Sequence, residues 1–109
     1  MPSYNSIAVN TVYVNENPWV FIVGSTPIFN FVFLGTGTLS SPSCRLFRGK
    51  EEVASKLLGS QADPVGRTVT TKQLNLDTAG DYELYVFVTD GGMVRPKALR
   101  IMVRKLGVY

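Results

Sequence analysis

Residues 76–104 read LDTAGDYELYVFVTDGGMVRPKALRIMVR, and this stretch decides the fold. Apolar residues recur at every second position over residues 82–88 and 98–103, which predicts two β-strands. Asp90, Gly91 and Gly92 lie between them, and glycine permits the positive φ angles that a tight reversal of the chain needs. The stretch therefore predicts an antiparallel β-hairpin.

The rest of the chain predicts further short strands and little helix. Gly, Pro and Ser residues, as at 35–37 and 40–43, indicate loops between runs of β-branched and aromatic residues. The sequence contains no βαβ alternation and no internal repeat. It therefore predicts an all-β fold of seven or so short strands, either a sandwich or a small barrel. The other predicted strands are 7–14, 19–23, 28–34, 44–48 and 67–74.

Residues 51–58, EEVASKLL, have two interpretations. Acids at the start, Lys56 near the end and Gly59 just after favour two turns of helix. Val53 and Leu57 would then form the packed face of that helix. The alternative is a strand that pairs with residues 44–48.

Alternation along the predicted hairpin assigns its side chains to two faces. The core-facing set is predicted to be Tyr82, Leu84, Val86, Val88, Leu99, Ile101 and Val103. The outward set is predicted to contain Tyr85, Phe87, Ala98, Arg100, Met102 and Arg104. An outward apolar patch is typical of a surface that another chain covers. The alternatives are that the N-terminal segment or the 51–58 turn covers it.

The run 76–84, LDTAGDYEL, resembles the E–F corner of an immunoglobulin-like sandwich. In that family a tyrosine near the start of strand F hydrogen-bonds to upstream backbone, and Asp81-Tyr82 matches this corner. Leu84 stands where the family has its second disulfide cysteine. Bacterial and phage immunoglobulin-like or PKD-like modules replace the disulfide with apolar residues, and the end of this chain is similar to their last hairpin.

The resemblance implies a domain plan and no activity, because such folds serve many functions. It implies a single antiparallel β-sandwich of about seven to eight strands over residues 18–105 and a C-terminal tail over 106–109. Residues 1–17 are then an N-terminal arm or the first strand. The family's tryptophan on strand C is missing here, and Leu46 or Phe47 would take its place.

Residue types exclude several classes of chemistry. The 109 residues include no histidine, which excludes an imidazole base and every histidine-containing metal site. The single cysteine, Cys44, excludes an internal disulfide and a CxxC motif. Asp77, Asp81 and Asp90 are predicted turn residues, since they form no EF-hand run. With no GxSxG or SxxK motif either, we expect no metal, no cofactor and no enzymatic activity.

Charge and composition suggest a protein partner. Residues 1–44 contain one charged residue, Glu16, whereas all eleven basic residues follow position 44. A net charge of +3 is small for a nucleic-acid binder, so nucleic acid is not the expected partner. No signal peptide or membrane-spanning segment is predicted. The predicted partner interface consists of Tyr4, Val12, Tyr13, Tyr85, Phe87, Arg100, Met102 and Arg104.

Phage capsid and tail proteins often carry immunoglobulin-like modules, so the resemblance implies a structural role in a virion assembled in the host cytoplasm. The specific hypothesis is a capsid decoration (cement) protein. It would bind the capsid lattice and neighbouring copies of itself, with residues 1–17 as an arm that adds to another strand. The alternatives are a carbohydrate- or cell-surface-binding module that uses exposed aromatics such as Trp19 and Tyr85, and a small cytoplasmic adaptor.

Overall fold

The structure, a computed structural model, describes residues 6–9 and 19–105, the first four by their backbone only. Strands dominate these residues, and the predicted all-β fold is confirmed. The strands are β1 (Ser6–Val9), β2 (Trp19–Ile22), β3 (Ile28–Val32), β4 (Leu39–Arg48), β5 (Glu51–Glu52), β6 (Leu57–Leu58), β7 (Thr68–Thr70), β8 (Gln73–Leu74), β9 (Gly80–Asp90) and β10 (Met93–Arg104). One 3-10 turn, Ala54–Lys56, precedes β6.

The strands pair in a mixture of parallel and antiparallel contacts. The larger sheet has the order β2-β10-β9-β4-β5, a smaller one has the order β1-β3-β7, and β6 pairs with β8. The pairs β1–β3 and β2–β10 are parallel, so the prediction of a purely antiparallel fold is wrong there. Each parallel pair joins strands that are not consecutive in the chain. No tight hairpin therefore forces them to run in opposite directions.

The two larger sheets contribute to one apolar core. Alternate residues of β3, with Phe33 just after it, are fully buried in the same cluster as alternate residues of β9 and β10. Burial of each such side chain stabilises the fold by about 1.5–3 kcal/mol. The core residues are Phe29, Phe31, Phe33, Leu39, Leu46, Val69, Leu74, Leu76, Tyr82, Leu84, Val86, Val88, Leu99, Ile101 and Val103.

The predicted hairpin is confirmed as β9 and β10. Asp90 pairs with Met93, so the loop between the strands is the two glycines alone. Gly91 and Gly92 have φ angles of 61° and 83°. Two successive positive φ angles suit a turn whose twist matches that of the strands, and glycine adopts them at little cost.

The predicted loop at 40–43 is wrong, because β4 begins at Leu39 and runs through it. The ladder with β9 shifts between Ser40 and Ser43, where the extra residue forms a β-bulge. Ser41 takes a positive φ of 52° at this point. Pro42 is tolerated because a bulge does not need the backbone N–H that proline lacks.

Residues 51–58 combine parts of both interpretations. Glu51–Glu52 form β5, which pairs with the end of β4 as the strand alternative predicted. The predicted two turns of helix are reduced to the single 3-10 turn, because the chain is already committed to a strand on one side. Val53 and Leu57 pack against the core, as the helical interpretation had required of them.

Part of the N-terminal segment belongs to the chain's own smaller sheet. Ser6–Val9 pair with β3 in register from Ile28 to Phe31. This favours the first-strand alternative over the free arm for these residues. The interface residues predicted at Tyr4, Val12 and Tyr13, and the tail at 106–109, lie outside the described residues.

Candidate protein-binding face

The face of the larger sheet that points away from the core is called the outer face. Alternation along its strands gives it a mixed population of apolar and charged side chains, as the buried and exposed positions of β9 and β10 show. Cross-strand register places these side chains in rows. The residues of the outer face are Val20, Ile22, Arg45, Phe47, Asp81, Glu83, Tyr85, Phe87, Ala98, Arg100, Met102 and Arg104.

Three aromatic rings lie at the centre of the outer face. The rings of Phe47 and Tyr85 meet edge to face, with centroids 5.7 Å apart and an interplanar angle of 89°. The rings of Tyr85 and Phe87 are nearly parallel, with centroids 6.3 Å apart and an angle of 13°. All three residues are only partly buried, so they offer aromatic surface that the described residues leave in contact with solvent.

Charged groups surround these rings. The Arg45 guanidinium lies 5.2 Å from the centroid of the Phe47 ring, and its Nε and Nη2 donate to the Glu52 carboxylate at 3.0 and 2.7 Å. This pairing holds the pKa of Glu52 below its ordinary value. The Tyr85 hydroxyl donates to Glu83 at 3.3 Å, and partial burial together with the Glu83 charge raises the pKa of Tyr85.

Two shallow depressions flank Glu83. One, of about 430 Å³, is lined by the aromatic rings together with Arg45 and Lys50. The other, of about 500 Å³, lies over β9 and β10 beside Arg100 and Met102. Both are open to solvent and lined by polar and apolar groups together. This mixture suits a protein surface better than a small apolar ligand, which binds in an enclosed pocket.

The structure brings the predicted interface residues of β9 and β10 onto one face. Met102 lies between Asp81 and Val20 in cross-strand register, and Arg100 lies beside Glu83. Arg104 makes an ion pair with Asp81 at 3.3 Å. Val20 was not predicted as part of this face, although its strand was predicted. Only the register with β10 shows that it extends the apolar surface.

Within the described residues, neither of the two segments that were predicted to cover the outward apolar patch lies over the outer face. The 51–58 segment continues the sheet sideways through β5 instead of folding over it. Ser6–Val9 belong to the smaller sheet. Trp19, expected as an exposed ligand-binding aromatic, instead packs edge-on against Phe29 at 5.8 Å beside the core. That expectation is wrong because Trp19 faces inward from β2.

The predicted tyrosine corner has the expected hydrogen bond. The Tyr82 hydroxyl donates to the backbone carbonyl of Thr78 at 2.6 Å, four residues upstream, while the ring lies in the core. Asp81 does not share this hydrogen bond, because its side chain points outward to Arg104. Arg48 donates to the Ala79 carbonyl at 3.0 Å and holds the same turn from outside.

The strongest polar cluster was not predicted from the sequence. Arg67 binds Asp90 through two hydrogen bonds of 3.1 and 2.7 Å, and Arg95 donates to the same carboxylate at 2.7 Å. Together they hold the pKa of Asp90 well below its ordinary value. Arg67 also donates to the carbonyls of Phe33, Leu34 and Gly37. Through Arg67, Asp90 therefore links the hairpin to the loop after β3, in addition to its predicted role as a turn residue.

The remaining candidate groups for chemistry lie apart. Asp77 pairs with Lys56, which lowers the pKa of Asp77, whereas Asp90 and Asp81 bind different arginines. Burial raises the pKa of the Cys44 thiol, which donates to Gln61 at 3.4 Å. Over residues 6–9 and 19–105 there is no cluster of three or more His, Cys, Asp or Glu side chains, and no helix long and apolar enough to cross a membrane.

The chain matches no known protein family, curated protein or solved structure. Similarity therefore assigns neither a fold family nor a role. The outer face, with its central aromatic rings and its border of charges, is the strongest functional feature of the described residues.

Proposed function

We propose that this chain is a non-enzymatic assembly protein, a decoration protein of a phage capsid that assembles in the host cytoplasm. The outer face would bind the capsid lattice, and further contacts would join neighbouring copies. The observation that carries this proposal is the partly exposed aromatic cluster of Phe47, Tyr85 and Phe87 on a sheet face that no described segment covers.

The composition of the outer face supports a protein partner. Aromatic residues, methionine and arginine are enriched in protein interfaces, and here they occur together as Tyr85, Phe87, Met102 and Arg100. Apolar and stacked aromatic surface supplies affinity when water leaves it. The surrounding charges of both signs would select a partner surface with a matching pattern.

Strand order supports the immunoglobulin-like part of the proposal. The order β10-β9-β4 corresponds to the G-F-C order of that fold, with β5 in the place of C′. Tyr82 and its hydrogen bond to Thr78 correspond to the tyrosine of the E–F corner. Modules of this kind present their sheet faces to partners, which is the role proposed for the outer face.

The first test asks whether the chain is part of a particle. Mass spectrometry of virions purified from the virus that encodes it should find its peptides at a fixed ratio to the major capsid protein. A fixed ratio that survives repeated density-gradient purification supports decoration. Absence of the chain from purified virions would contradict the proposal.

The second test locates the binding surface. Particles stripped of this chain are mixed with purified protein, and binding is measured by co-sedimentation. Tyr85→Ser/Phe87→Ser should lose binding, because it removes the centre of the outer face. The control variant Leu34→Ser/Val65→Ser changes two side chains outside the outer face, which are 75% and 80% exposed. This variant should bind normally. Equal binding by both double variants would contradict the proposed surface.

A carbohydrate ligand is the second candidate, and one observation favours it. The Tyr85 and Phe87 rings lie within 13° of parallel, with centroids 6.3 Å apart, and both offer partly exposed aromatic surface beside Glu83 and Arg45. Sugar rings stack on such surfaces, while nearby charged groups accept and donate hydrogen bonds to hydroxyls. Binding to a glycan array that Tyr85→Ser abolishes would favour this candidate. Binding to particles from which all glycan is absent would favour decoration.

A further inference from the structure

The two edges of the larger sheet differ in their protection against other strands. At one edge, β5 consists of Glu51–Glu52 and lies beside Arg48. At the other edge, β2 reads WVFI and carries no charged residue. Charged side chains are a usual device that prevents an edge strand from pairing with another chain. The edge at β2 lacks this device.

Free backbone groups of β2 point toward the unprotected edge. The Val23 N–H donates to the Arg104 carbonyl of β10 at 2.9 Å. Because backbone groups alternate in direction along a strand, those of Phe21 face β10, whereas those of Val20 and Ile22 face away. The Ile22 carbonyl already accepts from the N–H and hydroxyl of Ser25, at 3.1 and 2.7 Å. No described strand pairs with β2 on this side, which leaves the N–H and carbonyl of Val20 for a partner.

We infer that β2 pairs antiparallel with β2 of a second copy of this chain, about a two-fold axis through Val20. Each Val20 then donates its N–H to the carbonyl of Val20 in the other copy. Trp19 lies opposite Phe21 of the second copy, and both face the core side. The result is one continuous sheet across two copies.

The alternation of side chains selects this register. If the two-fold axis passed between two residues, each outward side chain would lie opposite an inward side chain of the other copy. Directly opposed residues of an antiparallel pair share one face of the sheet, so this register is excluded. An axis through Phe21 would need the Ile22 carbonyl, which the turn at Ser25 occupies. Only the axis through Val20 keeps every described side chain on its own face and uses free groups.

The outward side chains explain why the partner is a second copy. Val20 and Ile22 are 64% and 49% exposed, and Met102 lies next to Val20 in register. Pairing brings the same uncharged, aliphatic stripe from each copy together and removes it from water. A partner strand with charged side chains would place those charges against this apolar stripe. A second β2 satisfies both the hydrogen bonds and the apolar surface.

The dimer deepens the proposed assembly role. A two-fold axis perpendicular to the sheet turns both outer faces in the same direction. A dimer would therefore present two copies of the aromatic cluster to one lattice, which raises the total affinity without any new contact. The β2 pairing itself does not depend on that function.

Sedimentation velocity over a wide concentration range tests the inference. The wild-type protein should form a dimer, and Val20→Lys should raise its dissociation constant at least about tenfold, because it places like charges opposite each other. Val94→Lys is the matched control, since Val94 is an equally exposed valine at 65% on the hairpin. It should change the dissociation constant less than about twofold. A monomer at all concentrations, or a dimer that Val20→Lys leaves intact, would overturn the inference.

A second variant tests the hydrogen bond rather than the charge. Val20→Pro removes the N–H that the dimer uses but none that binds β10, so it should weaken the dimer and leave the melting temperature nearly unchanged. A dimer as tight as that of the wild type would overturn the inference. The result is separable from the proposed function. A dimer that fails to bind particles contradicts decoration alone, and a monomer that binds them contradicts the β2 pairing alone.

Discussion

On β9, the residues that face the core are all aromatic or aliphatic, whereas the outward residues combine the aromatic rings of Tyr85 and Phe87 with the acids Asp81 and Glu83. The inward set, Tyr82, Leu84, Val86 and Val88, is buried to within 1% of complete. The outward residues Tyr85 and Phe87 remain partly exposed, and Tyr85 makes ring contacts with both Phe87 and Phe47. One strand therefore carries aromatic rings on both faces, and the described residues bury only the inward ring.

The difference in burial between the two faces separates residues that stabilise the fold from residues that are available for binding. The inward set is packed by the smaller sheet, so its burial contributes to folding whether or not a partner is present. The outward set gains the same kind of free energy only when another surface displaces its water. Substitutions on the inward face should therefore lower stability, whereas substitutions on the outward face should mainly weaken binding.

The largest expected effect comes from the inward face. Leu84→Ala removes a fully buried side chain and should lower the free energy of unfolding by about 2–5 kcal/mol. Phe87→Ala, on the outward face, should lower it by about 1–2 kcal/mol, because the ring is only partly buried. Urea unfolding measures both. Equal losses would mean that the outer face belongs to the core of the isolated chain.

The end of β9 adds a dependence on pH. Arg67 and Arg95 hold the pKa of Asp90 below the value of about 3.9 that it has in an unfolded chain. A lowered folded-state pKa stabilises the fold fully above the unfolded value, and that contribution is lost as the pH falls toward the folded value. Stability should therefore fall below about pH 4 in the wild type and fall less steeply in Asp90→Asn. Parallel slopes of the unfolding free energy against pH would contradict the role of this cluster.

The tyrosine corner should have a smaller effect. Tyr82→Phe keeps the buried ring and removes the hydroxyl that donates to Thr78. The free energy of unfolding should fall by about 1 kcal/mol, the net value of one such hydrogen bond. Tyr85→Phe is the control on the outward face, since its hydroxyl makes only a 3.3 Å contact with Glu83. An unchanged urea midpoint for Tyr82→Phe would remove the corner from the account of the fold.

The smallest effect is expected at Cys44. Its thiol donates to Gln61 at the margin of the core, and serine preserves a donor of similar size. Cys44→Ser should change the free energy of unfolding by about 0.5 kcal/mol or less. Calorimetry of both proteins, with and without a chelator, gives the comparison. A large shift in either experiment would contradict this expectation and would assign a structural role to Cys44 or to a bound metal.

Local patterns in the sequence predicted much of the hairpin and its two faces. Alternation over β9 and β10 correctly assigned Tyr82 inward and Tyr85 outward, and the glycine pair marked the turn. These features depend on neighbouring residues alone. They are therefore available before the fold is known.

Features that depend on distant pairing were missed. The parallel partners of β1 and β2 and the binding of Arg67 to Asp90 join segments that lie far apart in the chain. No local pattern encodes such contacts. The exposure of Val20 on the outer face follows from its register with Met102, and the inward position of Trp19 follows from the same strand pairing.

Methionine oxidation within β10 tests whether the outer face is the binding surface. Met102 lies on the outer face, whereas Met93 is 71% exposed at the hairpin turn, so one strand carries both the probe and its control. Both are measured by mass spectrometry after brief treatment with peroxide, for the free protein and for the protein bound to particles. Binding to particles should protect Met102 and leave Met93 reactive. Oxidation of Met102 at the same rate in both states would contradict the outer face as the binding surface.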